Sequence, residues 1–286
     1  MDNLKAKKRH PEEIAVYSAI YVCAAFSVLL LLGIIVYVFA KGARRVNWAF
    51  LTGVTSILHG TVGIAGNILN TLIIILLTMI ITTPIGVGAA IYLNEYAKPG
   101  KLVTVIILAT ETLAGIPSII FGLFGMLFFG QLCHMGYSLL TGSLTLTLMV
   151  LPLVTRNTQE ALKTVPDSFR TGAVGLGAGK WYTIRTILLP SAMPGIVTGV
   201  ILAIGRIIGE SAALLFTAGS AHLLPKTFDA FLEKIFHSGG TLTIQLYLSA
   251  SKGEFEVAFG IAVVLLVIVL LINFGTKRLA KKLEKH

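Results

Sequence analysis

Long uncharged runs separated by short polar segments dominate the chain. A helix needs about 20 mostly apolar residues to cross the hydrocarbon layer of a bilayer. On this criterion the pattern predicts six membrane-spanning helices, at residues 14–40, 66–93, 102–130, 138–155, 191–218 and 257–276. The first run is much longer than the core of a signal peptide and lacks a cleavage site, so we interpret it as an uncleaved helix. The predicted fold class is an all-α polytopic membrane protein.

The composition agrees with this pattern. Hydrophobic residues make up 55% of the 286 residues and charged residues 13%, about half of the ~25% that is usual in soluble domains. So few charges cannot cover the surface of a soluble protein of this size. The net charge of +10 does not indicate nucleic-acid binding, because the Lys and Arg residues lie between the uncharged runs and are not gathered on one face. We therefore expect a lipid bilayer as the environment and no nucleic acid as a partner.

The basic residues predict the orientation of the chain. With the N-terminus inside, the inner segments contain sixteen Lys and Arg residues and the outer connections six. An excess of positive charge marks the cytoplasmic side, so both termini are predicted to be cytoplasmic. The predicted organisation is a cytoplasmic tail (1–13), a six-helix domain (14–276) and a basic cytoplasmic tail (277–286). Within the domain we expect a cytoplasmic loop at 156–190 and an external connection at 219–256, which could hold a short surface helix.

Three ionisable residues fall within the predicted spans: Glu111, Arg206 and Glu210. Charges at that depth are costly and should face protein or water. On a continuous helix, the following residues of the fifth span fall on one face about 80° wide: Gly195, Gly199, Ala203, Arg206, Glu210, Ala213 and Thr217. The same holds in the third span for Glu111, Gly115, Ser118, Gly122 and Gly125. These faces could be packing seams with a neutralised ion pair. We favour a polar pathway for a charged solute, since two separate helices each have small and ionisable residues on one face.

Arg206 gives the sharpest indication of chemistry. A guanidinium group binds a tetrahedral oxyanion through two parallel hydrogen bonds and stays protonated at any physiological pH. Glu210, four residues further along a helix, would pair with Arg206 when no anion is present. Such competition suits an anion that binds briefly and must then leave.

The predicted loop 156–190 is patterned. The sequence from Thr164 to Asp167 resembles a helix start, with an early Pro and an acid in the first turn. Further on, Gly177, Ile187, Leu189 and Pro190 match the spacing G-x9-I-x-L-P of the EAA loop, by which the permeases of ABC importers dock on their ATPase. The three-residue signature of that loop would fall on Thr171, Gly172 and Ala173, of which only the Ala matches.

Segments 84–97, 115–125 and 205–219 extend this similarity. Together with the loop they resemble phosphate-specific ABC importer permeases of the PstA kind, over about residues 60–280. The resemblance implies the type I permease fold, inorganic phosphate as the substrate, and a coupling helix near 168–176, which includes Ser168 and Arg170. It also places Arg206 and Glu210 at charged positions thought to line the anion path, with Glu111 in the matching motif of the third helix.

The resemblance implies partners as well: a second permease of the PstC kind, a pair of ATPase subunits on the cytoplasmic side and an external phosphate-binding protein. The chain itself has no phosphate-binding loop for ATP, because Gly179 and Lys180 are followed by Trp181 where the motif requires Ser or Thr. We therefore expect a transporter subunit that is not itself an enzyme, with ATP hydrolysis in separate subunits.

Other interpretations are weaker. Gly209, Glu210 and Ser211 resemble the serine segment of intramembrane proteases, but no His lies at a matching depth. The two cysteines and six histidines lack metal-ligand spacing, so no metal or cofactor is expected. An ion-coupled secondary transporter would need internal repeats, and none is convincing. Permeases for sulfate or molybdate share the loop spacing and stay open as alternatives.

Overall fold

A computed structural model describes residues 11–56, 61–98, 100–225 and 227–283. The predicted N-terminal tail lies outside the described residues except for residues 11–13, which begin the first helix. The last three residues of the predicted basic tail also lie outside them.

The described residues form α-helices and one small hairpin. The first half contains α1 (Pro11–Gly42), α2 (Trp48–Thr52), β1 (Val54–Ser56), β2 (Thr61–Ile64), α3 (Ala65–Ile91), α4 (Lys101–Gly115) and α5 (Ser118–Gly125). The second half contains α6 (Leu139–Lys163), α7 (Asp167–Gly175), α8 (Lys180–Thr183), α9 (Leu189–Ile208), α10 (Ala212–Thr217), α11 (Phe228–Glu233), α12 (Leu242–Ser251) and α13 (Phe255–Leu283). Three π-helical turns extend α3, α5 and α8, at Tyr92–Tyr96, Met126–Leu132 and Ile184–Leu188. Two 3-10 turns lie at Ala43–Arg45 and Lys234–Phe236, and β1 and β2 pair antiparallel.

The described chain crosses a membrane several times. Five helical segments are long and apolar enough to do so: Ala15–Arg45, Ala65–Tyr96, Leu139–Lys163, Lys180–Ile208 and Phe255–Arg278. Lys101–Gly115 and Ser118–Leu132 are bent by 103° relative to each other and make a sixth such segment only when they are taken together as one broken span. The predicted all-α polytopic class is confirmed, and the predicted number of six spans is reached when the bent pair counts as one.

The predicted third span is not one continuous helix. It breaks at Ile116, whose backbone is extended (φ −73°, ψ 131°) before Pro117. Proline has no N–H to donate and disfavours a helical conformation in the preceding residue. Glu111 therefore lies on α4, whereas Gly122 lies on α5 after the bend, and the predicted common face of the third span does not form.

The predicted fifth span is also broken. α9 ends at Ile208, and α10 begins only at Ala212. Between them, the Glu210 carboxylate accepts the backbone N–H of Ala213 at 3.1 Å, in the first turn of α10. This bond satisfies a donor that has no partner within the helix, as capping side chains do. The prediction that Arg206 and Glu210 pair on one continuous helix was therefore wrong.

The central helix is α6, which is more deeply buried than the other spans. It runs parallel to α3, because Thr78 of α3 donates to the Ser143 carbonyl while Gly86 lies against Val154 further along. Glycine permits this approach: a Cβ at position 86 would lie 2.9 Å from Val154 Cγ1. Small residues allow helices to come this close in a membrane, where contacts must replace the hydrophobic effect.

On its other side α6 packs antiparallel to α9. A Cβ at Gly195 would lie 2.5 Å from Ala161 Cβ, and one at Gly199 would lie 2.7 Å from Asn157 Cβ. The small residues of the fifth span thus form a packing seam as far as Ala203, which is fully buried. For these positions the packing interpretation is confirmed.

The helices define two ends of the molecule. α3 and α6 both finish at the end that carries α7, which we call the α7 end. Ile64, just before α3, packs with Leu242 and with Val257 at the start of α13, and this cluster marks the opposite end. Gly42, the last residue of α1, abuts Phe259 of α13, so the two helices are antiparallel, and the start of α1 and the end of α13 lie towards the α7 end.

The predicted connection 219–256 is more ordered than a surface linker. It contains the short helix α11 and the helix α12, whose residues Leu242 and Ile244 are buried. In the turn before α12, Lys234 is buried and donates to the Leu223 carbonyl. Burial lowers the pKa of the Lys234 amine, because removal from water disfavours its charged form.

The contact between α3 and α6 yields a test with a matched control two residues away. Gly86→Leu forces a side chain against Val154, whereas Gly88→Leu adds the same side chain where a Cβ meets no atom within 4 Å. Both changes improve helix propensity equally. We expect the free energy of unfolding of Gly86→Leu to be about 1–3 kcal/mol lower than that of Gly88→Leu. This difference would be seen as a lower thermal unfolding midpoint of the purified protein in detergent. Equal midpoints would contradict the close packing of α3 on α6.

Candidate functional site

A charged cleft of about 420 Å³ lies between α4, the start of α5, α6 and α9. Five of its lining side chains are ionisable: Glu111, Arg156, Glu160, Lys163 and Arg206. Polar lining comes from Thr110, Thr155 and Gln159, and apolar lining includes Ile107, Phe121, Met149, Pro152 and Leu153. A concave site with mixed apolar walls and a few converging polar groups is typical of a small-solute site.

The structure brings two of the three predicted pathway residues together. Glu111 on α4 and Arg206 near the end of α9 line the same cleft, and both are exposed in the single chain. Within the described residues neither forms an ion pair or a side-chain hydrogen bond. The guanidinium of Arg206 is therefore available to a solute in the cleft.

Glu210 does not line this cleft. It is only 8% exposed, and its carboxylate is used by the first turn of α10. Its carbonyl accepts the hydroxyl of Thr243 at 2.8 Å, which fixes the break between α9 and α10 against α12. The geometry of Glu210 is that of a residue that holds the backbone at the break.

Three charged cleft residues were missed as site residues. Arg156, Glu160 and Lys163 were assigned to the cytoplasmic loop, whereas α6 continues through them. Their spacing of four and three residues is the available signal, since it places them on one face of a helix. Arg156 Nε lies 3.2 Å from Glu160 Oε1, but the two side chains are 67% and 62% exposed, so this pair adds little stability. Both residues bring exposed polar groups to the cleft, and Lys163 adds a further positive charge.

At the α7 end, a helix, α7, is present where the coupling helix was predicted; the coupling role itself stays a prediction. It follows Pro166 and starts with Asp167, whose carboxylate favours a helix N-terminus. Ser168, Thr171 and Gly172 are exposed on it, whereas Ala173 is buried.

The rest of the predicted loop folds back onto α6. Gly177 adopts a positive φ of 80°, which glycine tolerates without strain, and so turns the chain after α7. Ile187 and Leu189 then pack on the cluster around Leu162, and Pro190 lies in the first turn of α9.

Large apolar side chains are exposed around α7. They are Phe169, Val174, Leu176, Trp181 and Tyr182, and Leu176 is 91% exposed. Trp181 and Tyr182 lie in the first turn of the segment Lys180–Ile208, and the other three lie on or just after α7. An exposed apolar patch of this kind is typical of a surface that contacts another protein or the membrane.

Arg170 fixes α7 to the rest of the molecule. Its guanidinium donates to Glu95 Oε1 from Nη2 at 2.9 Å, and to the carbonyls of Leu162 (3.0 Å) and Val165 (2.9 Å). Hydrogen bonding to Glu95 raises the pKa of Arg170 above its ordinary value, and the Coulomb attraction of Glu95 and Asp167 adds to this. Glu95 was missed by the sequence reasoning, although it lies within the segment 84–97 that carried the family resemblance.

The fold and the site define a multi-pass membrane protein with a charged cleft and a short helix, α7, with exposed apolar side chains around it at one end. Residues 82–286 match the family described as "Binding-protein-dependent transport system inner membrane component", and the chain belongs to this family.

Relatives and solved structures agree with this assignment. The chain is 35% identical to the "Probable ABC transporter permease protein YqgI" of Bacillus subtilis, over 92% of this chain and 93% of that protein. It is 34% identical to the "Phosphate transport system permease protein PstA" of Xylella fastidiosa, over 84% of this chain and 82% of that protein. A structure of a bacterial alginate ABC transporter matches with a TM-score of 0.71 at 14% identity, covering 96% of both chains. A structure of the MetNI methionine ABC transporter matches with a TM-score of 0.58 at 21% identity, covering 77% of this chain and 94% of that chain. The expected ABC importer permease fold is confirmed.

The capping role of Glu210 can be separated from a role of its charge. Glu210→Gln keeps an oxygen that can accept the Ala213 N–H, whereas Glu210→Ala removes it. We expect Glu210→Ala to lower the free energy of unfolding by about 0.5–2 kcal/mol, with Glu210→Gln close to the parent in thermal unfolding in detergent. If both variants are equally destabilised, the charge and not the hydrogen bond holds the break.

Proposed function

We propose that the chain is one of two permease subunits of an ATP-driven importer of inorganic phosphate. The observation that carries the proposal is the guanidinium of Arg206, which lines the charged cleft together with Glu111 and has no partner among the described residues. It is supported by relatives whose names specify phosphate transport, among them the Xylella fastidiosa protein.

Arg206 would bind a phosphate oxygen pair through its planar fork of N–H groups. Arg156 and Lys163, further along the cleft, would continue the positive potential towards the α7 end. The carboxylates of Glu111 and Glu160 in the same cleft offset part of this charge, so an anion would bind weakly enough to leave.

Glu111 favours phosphate over sulfate or molybdate. At neutral pH phosphate carries one or two protons, whereas the other two oxyanions carry none. A carboxylate accepts a hydrogen bond from a P–OH group but only repels a fully deprotonated oxyanion. A cleft lined by both Glu111 and Arg206 is therefore suited to the protonated anion.

The cleft needs a second subunit to be closed. None of the residues of α4 is buried within the chain, although α4 forms one wall of the cleft. A second permease of the PstC kind would cover this wall. A pair of ATPase subunits would bind the apolar patch around α7, and an external phosphate-binding protein would dock at the opposite end.

The location that we propose is the cytoplasmic membrane of a bacterium or archaeon, with both termini in the cytoplasm. The α7 end carries Lys163, Arg170, Lys180 and Arg185, and the start of α1 and the end of α13 lie towards the same end. Positive charge marks the cytoplasmic side, so the ATPase subunits would meet α7 there.

The substrate proposal is tested by uptake. The chain would be reconstituted in liposomes with its second permease, ATPase subunits and phosphate-binding protein. We expect Arg206→Gln to lower the uptake of labelled phosphate by about 10- to 100-fold, the value of one charge-assisted contact, and Arg206→Lys to have an intermediate effect.

The control variant is Arg278→Gln, which removes an exposed Arg at the end of α13, outside the cleft. Unchanged uptake by Arg206→Gln would contradict the proposal. Stronger competition by sulfate than by unlabelled phosphate would contradict the choice of anion, and uptake without ATP would favour a secondary transporter.

The orientation is tested by labelling single cysteines, with Cys23 and Cys133 replaced by Ser. Leu176 is 91% exposed after α7 and Leu223 is 71% exposed at the opposite end. In cells that express the chain without the proposed ATPase subunits, which would cover Leu176, we expect a membrane-impermeant maleimide to label the Leu223→Cys variant in intact cells and the Leu176→Cys variant only in inside-out vesicles. The reverse pattern would invert the proposed topology.

A further inference from the structure

An ion pair joins the end of α3 to α7, outside the cleft. Glu95 lies in the turn Tyr92–Tyr96 that extends α3, and its Oε1 accepts two bonds from Arg170, at 2.9 Å from Nη2 and 3.3 Å from Nε. The Glu95 side chain is 9% exposed and the Arg170 side chain 22%. A pair with this geometry and burial holds its partners far better than a surface ion pair does.

The pair connects two elements that the chain itself does not join directly. α7 follows α6, and Arg170 also donates to two carbonyls at the end of α6, so α6 and α7 are linked both covalently and by hydrogen bonds. The link from α7 to α3 depends on Glu95. A separate contact joins α8 to the same turn, because Lys180 Nζ lies 4.7 Å from the centre of the Tyr96 ring.

The other end of α3 is fixed just as firmly. Asn67 donates to the Gly240 carbonyl at 3.0 Å, and Asn70 donates to the carbonyls of Ala221 and Gly240, both at 3.0 Å. Thr71 accepts the N–H of Leu242 at 3.0 Å. All three side chains are at most 3% exposed. The segment before α12, at the opposite end of the molecule, is therefore bonded to the first two turns of α3.

The helical segment Ala65–Tyr96 thus has buried polar attachments at both ends. Its 32 residues extend over about 48 Å, enough to cross the bilayer. One end is attached to the helix that faces the proposed ATPase subunits, and the other to the segment that faces the proposed binding protein.

We propose that Glu95 is a positioning residue that makes α3 follow α7, so that movement of α7 reaches the opposite end of the molecule through α3. This inference rests on the proposed function. Without the Glu95 carboxylate, α7 stays attached to α6, and α3 is no longer held to it by an ion pair. ATP hydrolysis then continues while the transport that it drives is lost.

The experiment measures ATP hydrolysis and phosphate uptake in the same liposomes, with the complete transporter and phosphate-loaded binding protein. Glu95→Gln removes the charge and keeps the shape of the side chain. We expect assembled Glu95→Gln transporter to hydrolyse ATP within threefold of the parent rate, while phosphate uptake per ATP falls at least tenfold. A residue needed only for folding would lower both rates together and leave their ratio unchanged.

The matched control is Asp167→Asn. It removes another carboxylate from the same guanidinium, at 3.0 Å from Nη1, but this carboxylate is 91% exposed and lies on α7 itself. We expect Asp167→Asn to change uptake per ATP by less than twofold. If Glu95→Gln does not assemble, Arg170→Lys replaces it, since it keeps the charge but loses the fork that bonds Glu95 and the α6 carbonyls together.

The outcomes separate this inference from the proposed function. Uptake per ATP equal to that of the parent in the Glu95 variant, or in the Arg170 variant used in its place, would overturn the role of Glu95. A loss of equal size in Asp167→Asn would also overturn it, because the connection to α3 would then not be the cause. Absence of phosphate uptake by the parent transporter would contradict the proposed substrate instead.

Discussion

The close approach of α6 to its two neighbours is the interaction on which the rest of the structure depends. In a bilayer the lipid tails are as apolar as the side chains, so helices associate through tight packing and not through the hydrophobic effect. Glycine on α3 and α9 lets both helices contact α6 directly. Because α6 is held on both sides, its last turns have a defined place. They supply Arg156 and Lys163 to the cleft and the carbonyls that Arg170 binds.

The charges within the membrane domain have two different uses. Glu210 is buried and serves the backbone at the break between α9 and α10. Arg206, just before that break, has no partner in the described chain and faces the cleft together with Glu111. The cost of a charge at this depth is avoided in the first case by hydrogen bonding and in the second by water or a solute. The sequence does not reveal these different roles, because the spacing of four residues between Arg206 and Glu210 is that of a pair on one face of a helix.

The two ends of the molecule are connected through α3, which has polar side-chain attachments at both of its ends. α3 is attached at one end through Glu95 to Arg170 of α7, and at the other through Asn67 and Asn70 to the segment before α12. Such attachments are made by buried polar groups, which are costly to leave unpaired and therefore hold their geometry. The same groups make the predicted external connection an ordered part of the fold.

The sequence by itself determined the class of fold, the long apolar segments, the short helix α7 and the resemblance to importer permeases, because these depend on the length of apolar runs and on local motifs. It also identified Arg206 and Glu111, since charges are rare in apolar runs. Only the tertiary structure decided that the third and fifth spans are broken, that Glu210 caps α10, and that Glu95 binds Arg170. A helical wheel assumes an unbroken helix, and a salt bridge between residues 75 positions apart leaves no local pattern. The breaks in the two spans and the Glu95–Arg170 ion pair both depend on how distant parts of the chain pack against each other.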